Sequence, residues 1–137
     1  MTEDDLLERY GLHPAGGQLD EIRGILATEL QAGFDANTEL MKICCVQLFH
    51  CGSLNDVLLI WEAKESGWDA HCSIDVQLLC GAGLDETKAF LRAHPATLAR
   101  EALEYLTECE EARDFDSFSV ERWSEGYHSY YGVPLPD

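Results

Sequence analysis

The segment SLNDVLLIWEAKESG, residues 53–67, decides between a helical fold and one that contains β-strands. Its apolar run VLLIW is the strongest strand candidate in the chain, but the run and its flanks also carry helical periodicity. The i, i+3, i+4, i+7 spacing of one helical face is met by Leu54, Val57, Leu58 and Trp61. Ser53 and Asp56 are spaced as a helix-capping box, and Gly67 is a typical helix end. The segment therefore predicts a helix.

Similar boundary signals predict helices on both sides of this segment. Thr2 and Asp5 form another candidate capping box, and Gly11 can end the helix that follows. Further helices are predicted over residues 18–32, 38–52, 69–80, 85–94, 95–111 and 119–132. Short connections favour antiparallel neighbours. We therefore predict a single all-α domain over residues 1–137, with about eight short helices in antiparallel helical hairpins, arranged as an irregular stack or a compact bundle.

The composition restricts the kind of partner. The chain has 137 residues, 46% of them apolar, a formal net charge of −17 and a pI of about 4.4. So negative a surface repels nucleic acid and anionic membrane and attracts basic proteins. The acidic start MTEDDLLERY differs from a secretory segment, and the six cysteines lack an extracellular context. We therefore expect a cytoplasmic protein with reduced thiols and with neither nucleic-acid nor membrane partners.

The segment KICCVQLFHCG, residues 42–52, places three cysteines and a histidine close together. Zinc ligands on one helix must be three or four residues apart to converge on one ion. Cys44 and Cys45 diverge by about 100° around the helix axis, and Cys51 lies about 10 Å along the axis from Cys44. These thiols are therefore predicted to pack in the core, as free cysteines usually do.

A weaker metal-binding pattern occurs in HCSID, residues 71–75. His71 and Asp75 have the i, i+4 spacing of two ligands on one helix, and Cys72 lies beside them. This pattern supports the alternative hypothesis of a metal-binding enzyme or sensor. No familiar catalytic or nucleotide-binding motif accompanies it, so the main expectation is a protein that is not an enzyme and needs no cofactor.

Two surfaces are candidates for partner binding. Along the helix that begins near residue 95, four glutamates spaced 3, 4 and 3 apart form an acidic ridge about 130° from the apolar face. The acidic ridge comprises Glu101, Glu104, Glu108 and Glu111.

An aromatic stripe on the last helix is either a buried docking face or an exposed anchor. The stripe comprises Trp123, Tyr127, Tyr130 and Tyr131. Trp68, after Gly67, is a further candidate anchor.

The segment LLIWEAKESGWDAHCSIDVQLLCGAGLDETKAFL, residues 58–91, resembles a segment of small acidic helical bacterial proteins, several of them actinobacterial. It covers about a quarter of the chain, and the group carries no assigned activity. In general character the chain is also similar to immunity proteins, which neutralise toxins. This second resemblance implies a non-enzymatic interaction module whose acidic ridge covers a basic surface of a partner, such as a toxin.

Overall fold

The computed structural model describes residues 1–136, which form α-helices and short 3₁₀ turns without any β-strand. The α-helices are α1 (Glu3–Tyr10), α2 (Leu19–Gln31), α3 (Thr38–Cys51), α4 (Val57–Lys64), α5 (Trp68–Ser73), α6 (Leu84–Ala93), α7 (Thr97–Glu111) and α8 (Val120–Tyr131). The VLLIW run lies in α4. The predicted all-α fold class is therefore confirmed.

Several helix ends lie where the capping residues predict them. Thr2 forms a reciprocal capping box at the start of α1. The side chains of Asn37 and Ser119 accept backbone N–H bonds at the starts of α3 and α8. Gly52 and Gly132 end those two helices in the left-handed conformation, with φ of 72° and 68°. These ends are fixed by local hydrogen bonds, because capping satisfies backbone groups that the helix itself leaves free.

The start of α4 differs from the predicted capping box. A 3₁₀ turn over Leu54–Asp56 precedes the helix, and Ser53 Oγ accepts from the backbone N–H of Asn55 instead. The Asp56 carboxylate receives two hydrogen bonds from Arg23, at 2.7 and 2.9 Å. The Asp56 side chain therefore links α2 to α4 through Arg23 and does not cap α4. Bidentate arginine–carboxylate pairing of this kind is strong and directional.

The helix predicted over residues 69–80 is interrupted. It consists of α5 and a 3₁₀ turn over Val76–Cys80, with Ile74 extended between them. The buried Lys64 ammonium donates to the carbonyls of His71 and Ile74, each at 2.6 Å. A cation at these carbonyls stabilises the end of α5 there.

Two other predicted helix starts are shifted. Gly83, not Asp85, precedes α6, so Asp85 lies within the first turn. The next helix was predicted to begin at Pro95, but α7 begins at Thr97 and Ala96 is its capping residue. Both shifts are small. The shift of α6 leaves the acidic residues of its first turn near the positive helix end, which favours them.

Helix α3 is the centre of the core. The buried residues of this core come from most of the chain, with Leu6 in α1 the first and Tyr127 in α8 the last. It contacts α1, α2 and α5, while α6 pairs with α7. Cys44 and Cys45 are fully buried in this core, and burial raises the pKa of Cys44 to about 12. Cys51 was also predicted to pack in the core, but it is exposed, so the prediction is wrong for this thiol. Within residues 1–136, no helix has both the length and the apolar content to cross a membrane.

Candidate functional site

The acidic ridge lies on the solvent side of α7. All four of its glutamates are exposed, whereas Ala102 and Leu106 on the opposite side are fully buried. None of the four forms an ion pair with another residue of the described chain. The ridge therefore presents uncompensated negative charge, as electrostatic attraction of a basic partner requires.

An exposed tryptophan adjoins this ridge. The Trp68 side chain is 78% exposed at the start of α5. Its ring lies nearly parallel to that of His71, with centroids 6.3 Å apart, and His71 contacts Tyr105 edge-on at 5.6 Å. Tyr105 belongs to α7 and is four residues from Glu101 and three from Glu108, so its side chain neighbours theirs. The aromatic contacts thus connect Trp68 to the acidic ridge.

Trp68 also borders a surface cleft. Phe34, in the turn after α2, lines the same cleft and is fully exposed. The cleft has a volume of about 340 Å³, and Met41 and Ala70 contribute to its walls. Two large aromatic side chains beside one cleft resemble the anchors of protein interfaces, where Trp and other aromatic residues dominate the binding energy.

The aromatic stripe of α8 is divided between core and surface. Tyr127 is buried and donates a hydrogen bond to Asp75, whereas Tyr130 is 63% exposed. Trp123 is half-buried and packs edge-on against Phe118 at 5.3 Å. The stripe is therefore mainly a docking face for the last helix.

The pattern at residues 71–75 does not converge on one point. His71 Nδ1 lies 3.4 Å from Glu65 Oε2, whereas the Asp75 carboxylate accepts the Tyr127 hydroxyl from another helix. Cys72 is exposed. Because α5 ends before Asp75, the i, i+4 spacing does not place these side chains on one helical face. The structure therefore does not assemble the predicted alternative site.

A different histidine cluster is assembled instead. His13, His50 and His128 each offer a ring nitrogen, and these three nitrogens lie within 4.8 Å of one another. His13 is on the loop after α1, His50 is in the last turn of α3, and His128 is in the last turn of α8. It is the one cluster of three or more potential metal-ligand side chains (His, Cys, Asp or Glu) found across residues 1–136. The sequence gives no local signal for this cluster, because the three residues are far apart in the chain.

Backbone carbonyls hold two of these rings. His50 Nδ1 lies 2.7 Å from the Leu12 carbonyl oxygen, and His128 Nδ1 lies 3.1 Å from the carbonyl oxygens of Val133 and Pro134. His13 stacks on His50, with centroids 4.0 Å apart, and its Nε2 lies 2.8 Å from His128 Nε2.

The surroundings of His13 and His50 favour neutral imidazole. Burial, together with the neighbouring histidines, lowers the pKa of His50 to about 4. Burial and the nearby His128 also lower the pKa of His13. Both rings are therefore uncharged near neutral pH, which leaves a lone pair on each.

Comparisons with known proteins identify no family for this chain: no family model matches it, and neither does any curated protein or solved structure.

Proposed function

We propose that this protein is a non-enzymatic acidic interaction module that binds a basic protein. In its most specific form, the proposal is an immunity-type inhibitor that covers the basic surface of a toxin. The observation that carries it is the juxtaposition of the exposed, unpaired acidic ridge with the exposed ring of Trp68. Charge alone would suit many acidic proteins, but an exposed tryptophan that is connected to α7 through His71 and Tyr105 also supplies an anchor for a partner.

The proposed mechanism separates attraction from retention. The four ridge glutamates attract a basic partner and orient it, which raises the association rate at low ionic strength. The Trp68 ring is the anchor that loses contact with water in the complex, so it governs dissociation. Occlusion of the partner's basic surface then blocks its access to anionic substrates such as nucleic acid.

Capture of partners from a lysate of the organism that encodes the chain tests this proposal. The ridge variant combines Glu101→Lys, Glu104→Lys and Glu108→Lys. A matched control variant combines Asp4→Lys, Glu8→Lys and Glu125→Lys, three exposed acids on α1 and α8. Both triple variants change the net charge equally. We expect the wild type and the control to retain a basic protein that the ridge variant and Trp68→Ala lose.

The inhibitor form of the proposal has its own readout. The captured basic protein, expressed alone in a test host, should arrest growth, and co-expression of the wild-type chain should restore it. Equal capture by the ridge and control variants would show that the ridge glutamates do not bind the captured protein. Capture that depends on the ridge without any toxicity would retain the interaction module and discard the toxin as its partner.

A further inference from the structure

We infer that His13, His50 and His128 form a binding site for one divalent transition-metal ion of the zinc class. The three ring nitrogens lie within 4.8 Å of one another, on three different elements of the fold. This inference is independent of the partner-binding proposal and uses a different part of the molecule. The acidic ridge and Trp68 take no part in it.

Hydrogen bonds to backbone carbonyls determine which nitrogen is free in the rings of His50 and His128. A carbonyl oxygen only accepts, so Nδ1 of His50 and Nδ1 of His128 must carry their protons. When an imidazole is neutral and protonated on Nδ1, its Nε2 carries the lone pair, which here is directed away from the backbone carbonyl. Backbone carbonyls fix metal-ligating histidines in the same way in known sites, where they orient the ring and increase its basicity.

The helices around the cluster favour a cation. His50 and His128 lie in the last turns of α3 and α8, the negative ends of the two helix dipoles. The net charge of −17 raises the local concentration of cations at the surface. A cation near these nitrogens therefore meets attraction from the helix ends and from the molecule as a whole.

The set of donors selects the type of ion. Three imidazoles without a carboxylate suit Zn²⁺, Ni²⁺ or Cu²⁺, whereas Mg²⁺ and Ca²⁺ require oxygen ligands. Tetrahedral zinc with bonds of about 2.0–2.1 Å places its ligand nitrogens about 3.3 Å apart. The 2.8 Å contact between His13 and His128 must therefore open, and the exposed His13 ring must turn out of its stack with His50.

Two further groups adjust when the metal binds. The Ser124 hydroxyl, 2.8 Å from His50 Nε2, must rotate away from the lone pair. Because His13 is exposed, the ion is reachable from solvent, and a water molecule can occupy a fourth position. This arrangement matches three protein ligands with an open position, and it links the loop after α1 to the ends of α3 and α8.

Calorimetric titration of tag-free, chelator-treated protein with Zn²⁺ tests the inference. We expect one equivalent to bind to the wild type. His13→Ala should weaken binding at least about 100-fold, because loss of an outer-shell partner alone costs 10- to 100-fold. The exposed His13 ring makes this variant the one least harmful to folding. His71→Ala, the matched control, should bind Zn²⁺ like the wild type.

Nitrogen-15 spectra of the histidine rings provide a second readout. Zn²⁺ should shift the Nε2 signals of His50 and His128 and leave their Nδ1 atoms protonated. The inference is overturned if the wild type binds no stoichiometric Zn²⁺, or if His13→Ala binds as tightly as the wild type. It is also overturned if His71→Ala is the variant that loses binding, because the ion would then lie near residues 71–75.

Discussion

His50 holds together two segments that are far apart in the chain. Its Nδ1 donates to the carbonyl of Leu12, and its Nε2 faces the hydroxyl of Ser124. One helical turn earlier, the buried Gln47 side chain donates to the carbonyl of Gly11 at 2.8 Å. Two donors of α3 therefore fix the loop that carries His13, so the position of the exposed histidine depends on these partly buried hydrogen bonds.

The lowered pKa of His50 predicts a loss of stability in mild acid. The imidazole titrates near 6.5 when unfolded and at about 4 when folded, so the unfolded state binds the proton first as the pH falls. The stability is therefore present above pH 6.5 and is lost as the pH falls toward 4. After allowance for partial solvent screening, we expect this group to cost about 1–2 kcal/mol at pH 5.

Urea unfolding of the wild type and His50→Asn at pH 7 and pH 5 measures this effect. Asparagine keeps a donor near the position of Nδ1 but cannot titrate, so the carboxylates contribute equally to both proteins. The stability difference between the two proteins should narrow by about 1–2 kcal/mol at pH 5. A difference that stays the same at both pH values would show that His50 does not titrate below its ordinary pKa.

At the level of single residues, the sequence predicts which side chains are buried better than it predicts which side chains from distant segments meet. Cys44 and Cys45 are buried because they lie on a helix that is apolar around most of its circumference. The histidine cluster has no comparable local signal. Its only trace in the sequence is that His50 and His128 each precede a helix-ending glycine by a few residues. Their meeting with His13 depends on how α3 and α8 pack, which helical periodicity does not specify.

At Gly81, directly after the 3₁₀ turn over Val76–Cys80, the backbone closely approaches the end of α3. A Cβ atom on Gly81 would lie 2.3 Å from the carbonyl oxygen of Phe49. The φ of Gly81 is −61°, so the backbone conformation itself suits any residue. Glycine is needed here for space alone.

Gly81→Ala should therefore destabilise the fold by about 1–3 kcal/mol, since backbone must move to relieve the overlap. Gly24→Ala is the matched comparison, because Gly24 is exposed in the middle of α2 and a Cβ there meets nothing within 4 Å. That substitution should stabilise the protein by about 0.5–1 kcal/mol through helix propensity. Chemical unfolding distinguishes the two, and equal effects of both substitutions would refute the packing argument.

For the helices, local signals predict ends and tertiary contacts decide breaks. The caps at Thr2, Asn37 and Ser119 were predictable because each bonds to backbone a few residues away. The break after α5 was not, since it is held by Lys64 from α4 and by Tyr127 from α8. Neither partner is a neighbour of the break in sequence, so spacing alone predicted one continuous helix.

Across the whole molecule, the excess of acidic residues is scarcely neutralised. The sequence has 26 acidic and 9 basic residues, and within residues 1–136 only a few ion pairs form, such as Lys88 with Glu110. Like charges on a compact surface repel one another, and unfolding relieves this repulsion. This repulsion therefore lowers the free energy of unfolding at low ionic strength.

Salt should consequently stabilise the protein. Raising NaCl from about 20 mM to about 500 mM shortens the screening length severalfold, so the melting temperature should rise by several degrees. The ridge variant, with fewer negative charges, should show a smaller rise. A melting temperature that falls with salt would mean that favourable ion pairs outweigh the repulsion. An equal rise in both proteins would mean that the ridge glutamates contribute nothing to the repulsion.

The general character of the molecule was predictable, but its candidate binding face was not. Helical periodicity and charge predict the all-α fold and the exposed acidic side of α7. The ring contacts from Trp68 through His71 to Tyr105 join α5 to α7, and they depend on helix packing that the sequence did not indicate. Tertiary packing therefore combines two separate surface features into one face.

The association rate of the captured basic protein, measured against ionic strength, is the most direct test of whether the acidic ridge attracts this partner electrostatically. For the wild type we expect the rate constant to fall at least about tenfold between 20 mM and 500 mM NaCl, because screening removes electrostatic attraction. The control with Asp4, Glu8 and Glu125 reversed should retain most of this dependence, and the ridge variant should lose most of it. Indistinguishable salt dependences for the ridge and control variants would contradict the account.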